Sequence, residues 1–135
     1  MADKNLQVDI VTPERTVYSE DADFVVVPGT EGSLGILPQH SPLVSGLNIG
    51  ILKVIKDGKE TKMVVTGGFL EVNHDKVVVL ATAAETPDEI DVNRARAALE
   101  RAQGRLANRT HDIDVARAEL ALRRALARLK ASGHA

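Results

Sequence analysis

The last third of the chain contains one helix-forming pattern written twice, and this duplication constrains the fold more than any other feature. Residues 90–95 and 113–118 match at an interval of 23 residues, and both begin with Ile-Asp-Val. After each segment, apolar residues recur at spacings of three and four, which is the period of one helix face. Arginines recur at matching positions in both copies. The pattern predicts two helices of one design, packed as an antiparallel hairpin.

Each predicted helix has an aspartate where a helix cap is expected. The side chains of Asp91 and Asp114 can accept a hydrogen bond from a free N–H of the first turn. Residues 86–89, Thr-Pro-Asp-Glu, form a rival capping box with proline at the first helical position. The repeat favours Asp91, because Asp114 has the same place in the second copy. The predicted ranges are residues 91–106 for the first helix, 114–131 for the second and 108–112 for the turn between them.

The apolar stripe of each helix is narrow and reads Val-Ala-Leu-Ala-Leu. Its alanines allow two helices to approach closely, but they bury little apolar area. A short helical hairpin with so little buried area is marginally stable by itself. We therefore expect the hairpin to be a mobile element that depends on the surface against which it docks.

Residues 5–82 have the pattern of a β domain. Leu6, Val8 and Ile10 alternate with other residues, as in a half-buried strand. Asp57-Gly58 is a strong hairpin signal, and residues 73–76 predict a second hairpin. Gly67-Gly68 predicts a bulge or a close backbone approach. Many short strands with frequent turns favour a sandwich or a barrel.

Charge is divided unevenly between these two parts. Residues 1–89 carry 7 Lys and Arg against 14 Asp and Glu, whereas residues 90–135 carry 10 against 5. Because their net charges are opposite, the two parts suit contact with different partner surfaces, or with each other. The chain has no cysteine, which excludes disulfides and thiolate chemistry. The first residues are polar and lack a signal-peptide core, and no apolar run reaches the length of a membrane span.

The segment over residues 31–43 is the most specific stretch of the chain. By geometry alone, its glycines and prolines describe a structural turn. As a pattern it closely resembles the epsilon subunit of bacterial F-type ATP synthases. The resemblance continues in order along nearly the whole chain, through residues 11–13, 45–47, 67–72, 90–95 and 117–122.

That resemblance implies an α+β protein with an N-terminal β-sandwich over residues 1–84 and a C-terminal antiparallel two-helix hairpin over residues 85–135. It implies a non-catalytic rotor subunit of the central stalk. The sandwich would bind the gamma subunit and the c ring, and the extended hairpin would reach the alpha and beta subunits and inhibit ATP hydrolysis. The location implied is the cytoplasmic face of the bacterial membrane, where the chain would be peripheral and held through the complex. Ser33 replaces an acidic residue of relatives in the loop that faces the c ring, which puts that polar contact in doubt.

The family also implies a regulatory ATP site in the compact form, with ATP bound but not hydrolysed; whether Mg²⁺ accompanies it is left open. The Ile/Leu-Asp-x-x-Arg-Ala motif of ATP-binding members is intact here, and further contacts correspond to a glutamate before the first helix and two arginines on the second. Planar guanidinium groups suit phosphate oxygens, and arginines four residues apart share a helix face. The aspartate would act on the adenine or ribose side, would hold the motif arginine, or would be only a cap. The predicted site residues are Glu85, Ile90, Asp91, Arg94, Ala95, Arg124 and Arg128.

Other classes of function are less well supported by the residues. A free-standing ATP-sensing module is the leading alternative. A nucleic-acid binder could use the basic hairpin, but the chain has only three aromatic residues for base stacking. No catalytic constellation is visible, and the histidines have no metal-ligand spacing. Those histidines are His40, His74, His111 and His134.

Overall fold

The computed structural model describes residues 5–110 and 112–134, so His111 and the polar N-terminal residues 1–4 lie outside the described residues. Strands and helices follow one another as two separate blocks. The strands are β1 (Leu6–Val11), β2 (Thr16–Ala22), β3 (Phe24–Gly29), β4 (Gly32–Ile36), β5 (His40–Lys56), β6 (Lys59–His74), β7 (Lys76–Ala81) and β8 (Ala84–Glu85). A short 3-10 helix (Pro87–Glu89) is followed by α1 (Val92–Ala107) and α2 (Val115–Ala131). The α+β architecture predicted from the sequence is confirmed.

The strands form a continuous sheet that folds on itself into a sandwich. Its order is β2-β1-β7-β6-β5-β3-β4, with β8 also paired to β6. All neighbours are antiparallel except β1 and β7, which are parallel. Inward-facing residues from opposite ends of this order, such as Val8 of β1 and Val27 of β3, are fully buried in one apolar core. The long strands β5 and β6 take part in both layers.

Both predicted hairpins are present. Asp57 and Gly58 join β5 to β6 with φ values of 52° and 77°, which are the left-handed values of a tight primed turn. His74 adopts φ 53° between β6 and β7, where Asn73 pairs with Lys76. Short left-handed turns of this kind match the twist of the strands that they join.

Gly68 marks a close backbone approach rather than a bulge, since the pairing of β6 with β5 and β7 continues without a shift at this point. Its φ is +128°, and a Cβ added there would lie 2.0 Å from the carbonyl oxygen of Leu80. Neither the conformation nor the space allows a side chain. This glycine lets β7 lie against β6.

The helix caps are formed as the repeat predicts. Asp91 and Asp114 each accept a hydrogen bond of 3.0 Å from the backbone N–H three residues later. The rival capping box exists as well, but it begins the 3-10 helix: the Glu89 carboxylate accepts from the Thr86 N–H at 3.1 Å. Each cap therefore begins a separate helix. We call residues 86–91, which join β8 to α1, the linker.

The helical hairpin is folded back on the sandwich. Ala127 and Ala131 of α2 pack with Val64 of β6 and Ile90 of the linker in an apolar cluster of its own. Ile49 and Ile51 of β5 flank this cluster. The docking surface is small, in keeping with the alanine-rich stripe. Over the described ranges, no helix is both long enough and apolar enough to cross a membrane.

Gly68→Ala should destabilise the fold, because it places a methyl group against the Leu80 carbonyl and forces a disfavoured φ. We expect the free energy of unfolding in urea to fall by about 2–4 kcal/mol. Gly35→Ala is the matched control, since Gly35 also lies in a strand but has nothing within 4 Å of its added Cβ. Equal stability of the two variants would contradict the close-approach role of Gly68.

Candidate functional site

A cleft lies between α1, α2 and the segment that leads into α1. Its volume is about 400 Å³, within the range of small-molecule sites. The lining combines charged side chains with alanines. The lining residues are Glu85, Glu89, Asp91, Arg94, Ala95, Ala98, Arg101, Ala121, Arg124, Ala125 and Arg128.

Helix periodicity explains why the arginines share this cleft. Arg94 and Arg101 are seven residues apart, or two turns of α1, and Arg124 and Arg128 are one turn apart on α2. Between them, Ala95 and Ala125 are buried in the contact between the helices. Small side chains at the seam bring the two backbones close together, so the longer arginines project beside the seam and line the cleft.

The arginines of the cleft are in two different states. Arg128 donates from Nε to Glu85 Oε1 at 2.6 Å, and both side chains are less than a third exposed. The guanidinium groups of Arg94, Arg101 and Arg124 have no hydrogen bond or ion pair with any of the described residues. Three cationic groups are therefore available for an anion.

The carboxylates of the cleft, by contrast, are already engaged. Asp91 Oδ1 caps α1, and Glu85 accepts from Arg128. Glu89 Oε1 accepts from the backbone N–H and the hydroxyl of Thr86, at 3.1 and 3.0 Å. Its Oε2 accepts from Arg15 Nη2 at 2.5 Å. The engaged carboxylates leave the cleft electropositive and suited to a ligand with several negative charges.

Hydrogen bonding stabilises the charged form of Glu89. The backbone N–H of Thr86 lowers the pKa of this carboxyl below its ordinary value, and the Thr86 hydroxyl and the Arg15 guanidinium lower it further against the opposing effect of burial. The carboxylate is thus held ionised within the linker.

The structure brings together six of the seven residues predicted from the sequence. Ile90 is the exception, because its side chain is buried beneath α2 in the docking cluster and does not line the cleft. Arg101 also lines the cleft but is not among the residues predicted for the site, although its two-turn spacing from Arg94 is a sufficient signal. Glu89, which the sequence predicts only as part of a capping box, lines the cleft as well, and its partner Arg15, 74 residues away, carries no local signal.

A second surface feature lies on the outer face of the sandwich. Phe69 of β6 pairs with Leu80 of β7, and their side chains are 64% and 53% exposed. Val44 of β5 is 71% exposed. Ser33 is exposed on β4, and Leu37 is exposed just after that strand. Exposed large apolar groups that lie together mark surfaces for macromolecular contact.

Comparison with known proteins accounts for both parts of the chain. Residues 5–87 match the model of the ATP synthase delta/epsilon chain β-sandwich domain, and residues 88–133 match that of its long α-helix domain. The chain belongs to the ATP synthase epsilon-chain family. The role of this family is that of a stalk subunit and not of the catalytic one.

Relatives agree with this assignment over nearly their full lengths. The chain is 62% identical to the ATP synthase epsilon chain of Pelotomaculum thermopropionicum over 133 residues, covering 98% of this chain and 99% of the relative. It is 64% identical to that of Carboxydothermus hydrogenoformans, covering 98% of each. Among solved structures, a chain of the Euglena gracilis mitochondrial ATP synthase, in an OSCP/F1/c-ring assembly, is 26% identical with a TM-score of 0.84, covering 98% of this chain and 83% of that one.

The hydrogen bonds of Glu89 predict a pH dependence for this epsilon-family chain. A carboxyl whose folded-state pKa is lowered contributes stability above its unfolded pKa, and that contribution is lost as pH falls through the folded pKa. The difference in unfolding free energy between wild type and Glu89→Gln should therefore be constant near neutral pH. It should shrink once pH falls below about 4.3, the ordinary glutamate value. Urea denaturation at a series of pH values measures it, and an equal difference at all pH values would contradict the assignment.

Proposed function

We propose that this chain is a central-stalk rotor subunit whose helical hairpin inhibits ATP hydrolysis, with ATP as a regulatory ligand of the compact hairpin. The observation that carries the proposal is the composition of the cleft. Its walls come from β8, the linker and both helices, so the cleft exists only while the hairpin is closed and folded back. A ligand that binds there favours the compact state over any state in which these elements separate.

The residues of the cleft fit the chemistry of ATP. The unpaired guanidinium groups of Arg94, Arg101 and Arg124 suit phosphate oxygens, and Arg128 bonds to Glu85 through Nε, which leaves its terminal nitrogens for the ligand. Alanine side chains supply apolar wall for a base. ATP would contribute a polyanion here and no reaction step, since the role proposed for it is regulatory. A Mg²⁺ ion that accompanied ATP would find oxygen ligands in the carboxylates of Asp91 and Glu85, which line the cleft.

A ligand can switch this hairpin because its docking on the sandwich is weak. The apolar contact rests on four buried residues, two of them alanines, with Glu85–Arg128 and a hydrogen bond from Arg123 to Asn48 as polar additions. Each tenfold increase in ATP concentration above the dissociation constant stabilises the compact state by about 1.4 kcal/mol. If the compact and extended states of the hairpin differ by only a few kcal/mol, a change of that size shifts the population from one state to the other.

The other surfaces suit the partners of a rotor subunit. We assign the apolar patch of Phe69, Leu80 and Val44 to the gamma subunit, and the surface of β4 at Ser33, with Leu37 just after that strand, to the c ring. Similarity to a chain from a c-ring assembly supports this placement. The basic hairpin would meet acidic surface on the alpha and beta subunits when extended. The chain would then be peripheral at the cytoplasmic face of the membrane, with residues 1–84 as anchor and residues 85–135 as regulator.

Affinity purification of the tagged chain from solubilised native membranes tests the rotor assignment. We expect gamma, alpha, beta and c subunits to be recovered together, because the sandwich and hairpin offer separate surfaces to them. Phe69→Ser should reduce the recovery, and Leu120→Ser is a control at an exposed leucine of α2. Recovery of the ATP-binding chain without these subunits would favour the alternative, a free-standing ATP-sensing module. The structure is compatible with that alternative because all lining residues of the cleft belong to one chain.

Arg124→Ala and Arg128→Ala should each weaken ATP binding to the isolated chain. Loss of a hydrogen bond to a charged group costs about 1.5–3 kcal/mol, which is tenfold or more in the dissociation constant measured by titration calorimetry. Both variants should also inhibit ATP hydrolysis less in the reconstituted enzyme, since they remove charge from the extended helix. Arg96→Ala is the control for affinity, because Arg96 is exposed on α1 outside the cleft. Normal inhibition of ATP hydrolysis by both variants would contradict the proposal that these arginines hold the extended hairpin against acidic surface on the alpha and beta subunits.

A further inference from the structure

An ion pair ties the sandwich to the start of the regulatory hairpin. Arg15, in the turn between β1 and β2, donates from Nη2 to Glu89 Oε2 at 2.5 Å. The turn itself is held by Thr12, whose N–H donates to the Arg15 carbonyl at 2.9 Å and whose hydroxyl accepts from the Arg15 N–H at 3.3 Å. Thr12 is buried. The cation therefore projects from an anchored turn of the sandwich.

Glu89 is held from both sides. One oxygen accepts from Thr86 within the linker, and the other accepts from Arg15 of the sandwich. The same carboxylate belongs to the lining of the cleft. The position and the net charge of one wall of the cleft thus depend on a residue that does not itself line the cleft.

Charge compensation gives this arrangement a consequence for ligand binding. Among the three acidic residues of the cleft, Glu85 is paired with Arg128 and Asp91 caps a helix, whose N-terminal dipole favours its negative charge. Glu89 is the one whose cationic partner comes from the sandwich. Without Arg15, an uncompensated negative charge would remain in the lining of the same cleft as the groups available for phosphate. Charges act on one another over about 8 Å in physiological salt.

We propose that Arg15 is a positioning residue for the anion site, which neutralises Glu89 and fastens the linker so that the cleft can accept a triphosphate. This inference rests on the proposed function, because it assumes that the cleft binds ATP. It makes the β1–β2 turn part of the regulatory site, although that turn belongs to the anchoring sandwich.

A double-mutant cycle on the full chain tests the proposal, with affinities for ATP and AMP measured by titration calorimetry. The side chains of the pair are 50% and 38% exposed, so the expected effect is modest. Arg15→Met should weaken ATP binding roughly two- to fivefold, the range of an exposed ion pair, and should weaken AMP binding less. Arg15→Lys should retain most of the affinity.

The decisive variant is the double one. Once Glu89→Gln has removed the negative charge, adding Arg15→Met should change ATP affinity by less than twofold. Lys59→Met, at the start of β6 and outside the cleft, is the control for net charge. A purely structural role of Arg15 would lower ATP and AMP affinity equally and would persist in the Glu89→Gln background.

The two proposals fail in different ways. Wild-type chain that binds no ATP overturns the proposed function and this inference with it. Wild-type binding with unchanged affinity in Arg15→Met, or an equal loss in both backgrounds, overturns the inference alone. Circular dichroism and thermal melting of each variant establish that the comparison is made between folded chains.

Discussion

The closed arrangement of the helical hairpin depends on a small apolar contact, in which Ala127 and Ala131 of α2 meet Val64 of the sandwich and Ile90 of the linker. Because α2 is held there, α1 closes over the linker and the cleft has all its walls. Alanines limit the area of that contact and hence its strength. The same choice of residue that brings the helices close together therefore keeps the apolar area buried by docking small.

The charged side chains around this contact are of two kinds: carboxylates that are engaged in structural hydrogen bonds, and guanidinium groups that are available for a ligand. Each carboxylate near the cleft has a structural role, since Asp91 caps a helix, Glu85 holds Arg128 and Glu89 joins the linker to the sandwich. The cations of the cleft outnumber the carboxylates that could pair with them. The surplus makes the cleft suited to a polyanion without any glycine-rich phosphate loop, and such a ligand would meet side chains on helix faces and not backbone N–H groups.

Local signals in the sequence predicted the local structure well. The helix caps at Asp91 and Asp114, the turn at Asp57-Gly58 and the close approach at Gly68 all depend on residues within a few positions of one another. The order of the strands in the sheet, the burial of Ile90 and the Arg15–Glu89 pair could not be predicted in this way, because they join residues far apart in sequence. Helical periodicity would have added Arg101 to the cleft, since that spacing is local.

The linker that joins β8 to α1 is only six residues long, residues 86–91, and this has a consequence for the rate at which the hairpin resets. A released α2 stays tethered near its docking surface, so redocking is an intramolecular event at an effective concentration in the millimolar range. Closure is then first order and independent of how many copies of the chain are present. The timing of redocking is then set by the tether and not by encounter with another molecule.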